Sequence, residues 1–355
     1  MALDTVKFVE KLIENGYTHL CVVPCSFAKN LINEVINNPQ IEYIPSASEA
    51  VAASIAAGLK MSGKKPIAIV QSSGLTNMGS NITSLLKPYG VTFPILTSWR
   101  TYKDGDSEIQ HQHLATELPK LIEAYGYDNT ILEQEDLSVA IKQINDCDNS
   151  FTIGILKKDT FTKVELKDEH KLDLSSKTPR SEFLISLNKK FKNTNTLFIG
   201  TTGNTAREMY SFMPETNNFY MAGNMGGALS LGLGAAMAGK KVIVCGGDAE
   251  FVMHMGGLTT AGRYKNLDLT YILFDNEQNK STGGQNTYQS HVDYIGIAKA
   301  SNLNAIDKAI QKPDELINTL DKLDNKSINF LYVKCGLDDE TPRPPLEVVK
   351  VSEFK

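Results

Sequence analysis

Basic residues are too few here for a protein that coats nucleic acid. The 36 Lys and Arg are outnumbered by 41 Asp and Glu, a net charge of −5, whereas such proteins carry a basic excess. No apolar run approaches the about 20 residues needed to span a bilayer. The opening Met1-Ala-Leu-Asp-Thr has no basic stretch ahead of an apolar one, so no secretory leader is expected. There are only five cysteines, an odd number: Cys21, Cys25, Cys147, Cys245 and Cys335. No second Cys/His pair joins Cys21 and Cys25 to complete a zinc site. Cys21 and Cys245 sit in apolar runs, which predicts buried thiols. These absences predict a cytoplasmic protein with neither nucleic acid nor membrane as partner. The G-x-x-x-x-G-K-[ST] phosphate loop is missing, which weakens a nucleotide-binding reading. No repeat of 20–50 residues and no low-complexity tract is present.

What is there is an ordinary globular composition, 41% hydrophobic and 22% charged over 355 residues, enough for two or three domains. Asp4 can cap a helix whose apolar face is Val6, Val9, Leu12 and Ile13, with Gly16 ending it. His19 to Pro24, Pro66 to Gln71 and Thr92 to Thr97 read as buried strands, and Ala-rich Glu49 to Gly58 as a helix between them. From Lys157 to Arg180 the chain turns polar and reads as a linker. The alternation then resumes with strands at Thr196–Gly200, Lys241–Gly246, Leu269–Phe274 and Asn329–Lys334, and a small-residue helix at Gly226–Ala238. Strand–helix alternation of this kind predicts the α/β class, here as two doubly wound parallel-sheet domains. The expected division is 1–160, a linker over 161–180, and 181–355. The tail from Asp338 is expected to be extended.

Ligands bind at the carboxyl ends of strands in such sheets, so the residues after each strand matter most. Val242 to Gly246 runs into Gly247-Asp248, and Leu269 to Phe274 into Asp275-Asn276. Asn276 lies 28 positions beyond Asp248, about one strand–helix–strand unit. On neighbouring strands, Asp248 and Asn276 would project side by side. With a nearby carbonyl they would make an all-oxygen site of the kind Mg²⁺ prefers. The plainer alternative is two loops with hydrogen-bonding turn residues.

Gly247-Asp248-Ala249 followed, after 25 residues, by Asp275-Asn276 resembles the signature of thiamine diphosphate enzymes, normally Gly-Asp-Gly and then Asn-Asn. Val23-Pro-Cys-Ser-Phe27, Ser48-Glu-Ala50, Gln71-Ser-Ser-Gly-Leu-Thr-Asn77, Thr201 to Glu208, Gly223-Asn-Met-Gly226 and Ser281-Thr-Gly-Gly-Gln285 are similar, in order and spacing, to the phosphonopyruvate and sulfopyruvate decarboxylase group. The resemblance covers nearly the whole chain. It implies a pyrimidine-binding domain over 1–160 and a diphosphate- and Mg²⁺-binding domain over 181–355. Asp248, Asn276 and the Gln278 carbonyl would hold the metal. Gly247, Ala249, Thr202 and Gly203 would line the diphosphate. Gly223 would accept from the 4′-amino group, and Met225 would support the bent cofactor. Glu49 would be the catalytic residue, acting on the aminopyrimidine; alone, it reads as a first-turn glutamate favoured by the helix dipole.

The resemblance further implies decarboxylation of phosphonopyruvate to phosphonoacetaldehyde and CO₂ through the cofactor's carbanion and enamine. Sulfopyruvate or another anionic 2-keto acid is the alternative, as is a non-catalytic subunit that merely holds the cofactor. The active site would lie between subunits of a homo-oligomer, at least a dimer. Candidates for the substrate's anionic end are Ser26, Arg100, His111 and Lys280, with Lys29 and His113 behind them. The polar loop 101–112 could serve as a lid. Three places depart from the family pattern: Ser98 and Thr101 flank Trp99-Arg100 where glycines are usual, Asp106 to Ile109 replaces an acidic stretch, and Ala249 replaces a glycine.

Overall fold

The structure, a computed structural model, describes residues 2–102, 109–324, 326–338, 340 and 342. The chain divides into two compact units, residues 1–171 with 279–286, and 172–278 with 287–355. Among the described residues, no helix is long and apolar enough to cross a membrane.

In the first unit, α1 (Thr5–Glu14) begins where Asp4 accepts the Lys7 N–H, the expected cap. The strands are β1 (Tyr17–Val22), β2 (Glu42–Pro45), β3 (Lys65–Gln71), β4 (Ile95–Ser98), β5 (Asp128–Ile131) and β6 (Thr152–Leu156). Helix α2 (Lys29–Asn37) joins β1 to β2, and α3 (Glu49–Met61) joins β2 to β3. All pairings are parallel, in the order β2-β1-β3-β4-β6-β5. The apolar runs of the sequence are explained by burial on both faces. Along β3, Ile67 and Ile69 pack with Phe8, Leu12 and Leu31, while Ala68 and Val70 pack with Ala52, Ala53 and Ala56 of α3.

The second unit contains β7 (Leu197–Gly200), β8 (Asn217–Tyr220), β9 (Val242–Gly247), β10 (Leu269–Asp275), β13 (Asn304–Ala305) and β14 (Ile328–Lys334). Its parallel order, β13-β14-β10-β9-β7-β8, repeats that of the first unit strand for strand. Side chains along β10 again alternate, Tyr271 and Leu273 to one core and Ile272 and Phe274 to the other. A short hairpin of β11 (Gln278–Asn279) and β12 (Gln285–Asn286) lies between β10 and β13. Most of it groups with the first unit, where the Gln285 amide donates to Asn33 Oδ1 at 2.9 Å. The division at 181 had assigned all of it to the second half.

The stretch expected to be a linker, within which the two units divide after Lys171, is strapped down near both of its ends. Asn30, Asn33 and Asn37, along one side of α2, donate their amides to the carbonyls of Phe161, Val164 and Glu165. Thr5 also bonds Thr162. Farther on, Gly336 N–H donates to Thr178 and Arg180 N–H to Gly336. Polar composition there reflects side chains that serve backbone carbonyls, which composition alone does not separate from solvated linker. All five cysteines are buried thiols, and burial pushes Cys21 up to about 12.

Candidate active site

Both sheets reverse direction at the same place. The chain leaves β1 for β2 on one side and returns to β3 on the other, and β7, β8 and β9 repeat this. Carboxyl ends flanking such a reversal are where doubly wound sheets bind ligands. The candidate residues fall there, on two separate edges.

On the first unit's edge, Glu49 opens α3. Ser48 caps the helix by accepting the Val51 N–H, which turns Glu49 inward, and the residue is 4% exposed. Asn77 donates its side-chain amide to Glu49 Oε2 at 2.9 Å. Gly74 is required beside it, because a Cβ there would stand 2.2 Å from Glu49 Oε1. A buried carboxylate placed at a helix N-terminus and held by a neutral amide can accept a strong hydrogen bond from a ligand.

Arg100 follows β4 and is buried. Its guanidinium lies over the Phe27 ring at 4.5 Å, and its Nη1 donates to Ser26 Oγ, which ties the loops after β4 and β1 together. His111 is buried rather than solvated: the Gln71 amide contacts its Nε2 at 3.3 Å and Ser73 Oγ at 3.0 Å. Ser72, Thr97 and Ser98 have buried hydroxyls with no hydrogen-bond partner among the described residues. Ser26 and Arg100 thus meet, while His111 meets Gln71 at the end of β3. Lys29 is half-buried at the start of α2, while His113 and Lys280 are exposed. Residues 103–108 of the suggested lid lie outside the described residues.

On the second unit's edge, β7 leads into Thr201-Thr202-Gly203. Gly203, with φ of +89°, caps the helix Asn204–Phe212, a backbone shape that favours glycine. This helix N-terminus offers free N–H groups to an anion. Thr202 Oγ1 donates to the Ala222 carbonyl at 2.8 Å, fixing the loop that carries half-buried Gly223 and Met225. Thr201 Oγ1 is buried and has no partner among the described residues, as expected of a group that meets a ligand.

Register refines the metal expectation. Gly247 pairs with Phe274 across β9 and β10, so Asp275 comes beside Asp248, and Asn276 lies one position farther out. All three are buried. Burial, then the neighbouring Asp275 charge, raise the Asp248 carboxyl well above the usual carboxylate range. A divalent cation would remove that penalty, so the residues fit one. Asp275 accepts from Tyr332 OH at 2.6 Å and from Glu277 N–H at 3.0 Å. Gln278 is half-buried and its side chain bonds the Leu172 carbonyl. Ala249 is half-buried, and Gly247 ends β9. Among the described residues there is no cluster of three His, Cys, Asp or Glu that could hold a metal, so a cation beside Asp248 would also need amide and carbonyl oxygens.

Sequence reasoning passed over Glu250. It is buried and accepts from Tyr271 OH at 2.5 Å and from the N–H groups of Gly247 and Ala228. Burial pushes it up to about 6, against those hydrogen bonds. It thereby links the loop of Asp248 to the helix that follows Met225. Asn77, Gly74, Gln71 and Tyr332 were also missed as partners. The only signal for them was membership of the same short segments.

The family model for the N-terminal TPP binding domain of thiamine pyrophosphate enzymes matches residues 6–118, and that for the C-terminal TPP binding domain matches 199–330. A phosphonopyruvate decarboxylase of Streptomyces hygroscopicus is 30% identical over 82% of this chain and 77% of its own. That of Streptomyces viridochromogenes is 28% identical over 95% and 90%. A sulfopyruvate decarboxylase of Methanosarcina acetivorans is 29% identical over 79% and 78%.

Proposed function

The chain belongs to the thiamine pyrophosphate enzymes, among their decarboxylases, and from that premise we propose that it removes CO₂ from phosphonopyruvate to leave phosphonoacetaldehyde. The observation that carries this reading is the first unit's edge, where a buried Glu49 carboxylate, opening the helix after β2, and a buried Arg100 guanidinium, just after β4, both follow carboxyl ends of the same parallel sheet.

Bound thiamine diphosphate supplies the electron sink that lets a 2-keto acid lose CO₂. This chain's residues do the rest. Glu49, fixed by Asn77 and Gly74, would accept a hydrogen bond from the protonated ring nitrogen of the aminopyrimidine and so favour its reactive form. Thr201, Thr202, Gly203 and the N–H groups after them receive the diphosphate. Asp248, Asn276 and the Gln278 carbonyl would hold Mg²⁺, an all-oxygen set that suits this cation. Gly223 and Met225 orient the pyrimidine, and Gly247 and Ala249 let the backbone approach the diphosphate. Arg100 and Ser26 bind the phosphonate, and His111, held by Gln71, is placed to move a proton. The reading includes a homo-oligomer in which each active site takes one edge from each of two copies.

A sulfonate would meet the same Arg100 and Ser26 donors, so sulfopyruvate is the second reading, supported by the Methanosarcina relative. The test is purified protein with thiamine diphosphate, Mg²⁺ and either keto acid, with aldehyde followed by coupled reduction. Preferential turnover of phosphonopyruvate is expected. Preference for sulfopyruvate would change the substrate, and no aldehyde from either would overturn the assignment.

A further inference from the structure

Asp275 sits where two constraints meet. It is the last residue of β10, one position beyond the final Gly247–Phe274 pair and close to Asp248, and 4% exposed. Two buried carboxylates on adjacent strand ends repel each other strongly, so such an arrangement persists only when a proton or a cation lies between them or nearby. Every oxygen of Asp275 is also engaged. Oδ2 accepts from Tyr332 on the neighbouring strand β14, Oδ1 accepts from Glu277 N–H, and the backbone carbonyl accepts from Cys335 N–H at 3.0 Å. Glu277, which donates the second of these bonds, has φ of +57°, a left-handed shape that a residue with a side chain adopts only when its surroundings impose it. The Glu277 carboxylate is drawn to Lys177 at 3.4 Å and Lys334 at 4.0 Å. The turn Asn276–Gln278 is therefore bent by Asp275 from one side and tied down by lysines from the other.

We propose that Asp275, oriented by Tyr332, is the positioning residue of the cation site: it contacts no cofactor atom, but its negative charge strengthens cation binding and its side chain sets the turn that presents Asn276 and the Gln278 carbonyl. This role rests on the reading of Asp248, Asn276 and Gln278 as the Mg²⁺ ligands. It divides into a charge part and a geometric part, which substitutions separate. Asp275→Asn keeps an oxygen for Glu277 N–H and removes the charge. Tyr332→Phe keeps the charge and frees Oδ2.

The measurement is the Mg²⁺ concentration that half-saturates thiamine diphosphate binding to the full-length protein, by titration calorimetry, together with the melting temperature of the cation-free protein. Asp275→Asn should raise that concentration about tenfold, as expected for the loss of a charge near the cation. It should leave the cation-free melting temperature unchanged or higher, because a buried like-charge contact is relieved. Tyr332→Phe should raise the Mg²⁺ requirement by a smaller factor. A residue that merely supports the fold would lower the cation-free melting temperature and leave the Mg²⁺ requirement alone, and that result would overturn the proposal. If the wild-type protein binds thiamine diphosphate equally well with and without Mg²⁺, the cation site itself falls and this role with it. If wild type depends on Mg²⁺ and Asp275→Asn depends on it equally, only the role of Asp275 falls.

Discussion

Asn77 donates its side-chain amide to the Glu49 carboxylate at 2.9 Å, tying the first residue of α3 to the segment that follows β3. The two are 28 positions apart in sequence, yet the bond fixes which way the only carboxylate proposed for proton chemistry points.

That relationship predicts the outcome of two substitutions. Glu49→Gln should bind thiamine diphosphate but lose about 100-fold or more in cofactor C2–H exchange with deuterium, followed by NMR, the scale typical of removing an acid–base group. Gly74→Ala should reproduce much of that loss with Glu49 intact, since the added methyl would overlap Oε1. Exchange at the wild-type rate in both variants would remove Glu49 from the chemistry.

Arg100 should matter for the substrate and not for the cofactor. Arg100→Gln removes the charge that reaches Ser26 and stacks on Phe27. Its effect should be a fall in kcat/KM for phosphonopyruvate of about 100-fold, near the roughly 3 kcal/mol of a strong charge-assisted contact. Thiamine diphosphate affinity should stay within about twofold of wild type. Steady-state kinetics and calorimetry separate the two, and an equal loss in both would place Arg100 elsewhere.

Raised carboxyls make the cation-free protein sensitive to pH. Asp248 and Glu250 hold protons in the folded state that the unfolded chain has already released above about pH 4–5. By linkage their stabilising contribution is complete below that range and is lost as pH rises through about 6 for Glu250 and higher for Asp248. In chelator, the melting temperature should therefore fall between about pH 5 and pH 8, with Asp248→Asn flattening the slope. Adding Mg²⁺ and thiamine diphosphate at the high end should restore stability. A wild-type curve as flat as that of the variant would refute this.

Arg180 and Glu208 form a buried two-bond ion pair, with distances of 2.7 and 2.8 Å, that joins the helices Arg180–Phe191 and Asn204–Phe212. Arg180→Met alone leaves a buried charge unpaired and should cost about 3–5 kcal/mol in denaturant unfolding, whereas Arg180→Met with Glu208→Leu should recover most of that loss. If the double variant is no more stable than the single one, the pair is not the source of the cost.

Most of the elements are legible in the sequence alone, because their signals are local. Asp4 caps α1 with its own side chain, and continuous apolar runs such as Leu269 to Phe274 mark strands buried on both faces. The segments of the candidate site are legible for the same reason, since a strand end, a glycine and a polar residue are adjacent in the chain. Short, partly exposed edge strands such as β2, β5 and β13 carry no such run and escape notice.

Tertiary structure alone decided the pairings. Register across β9 and β10, ending at Gly247 and Phe274, brings Asp275 beside Asp248. The fold buries His111 against Gln71 and straps residues 161–165 to α2 through Asn30, Asn33 and Asn37. Each depends on where a distant strand or helix comes to rest, and a one-residue change of register would exchange every partner. The sequence by itself determined which side chains were available at the strand ends. Long-range packing, which no local pattern encodes, decided which of them meet.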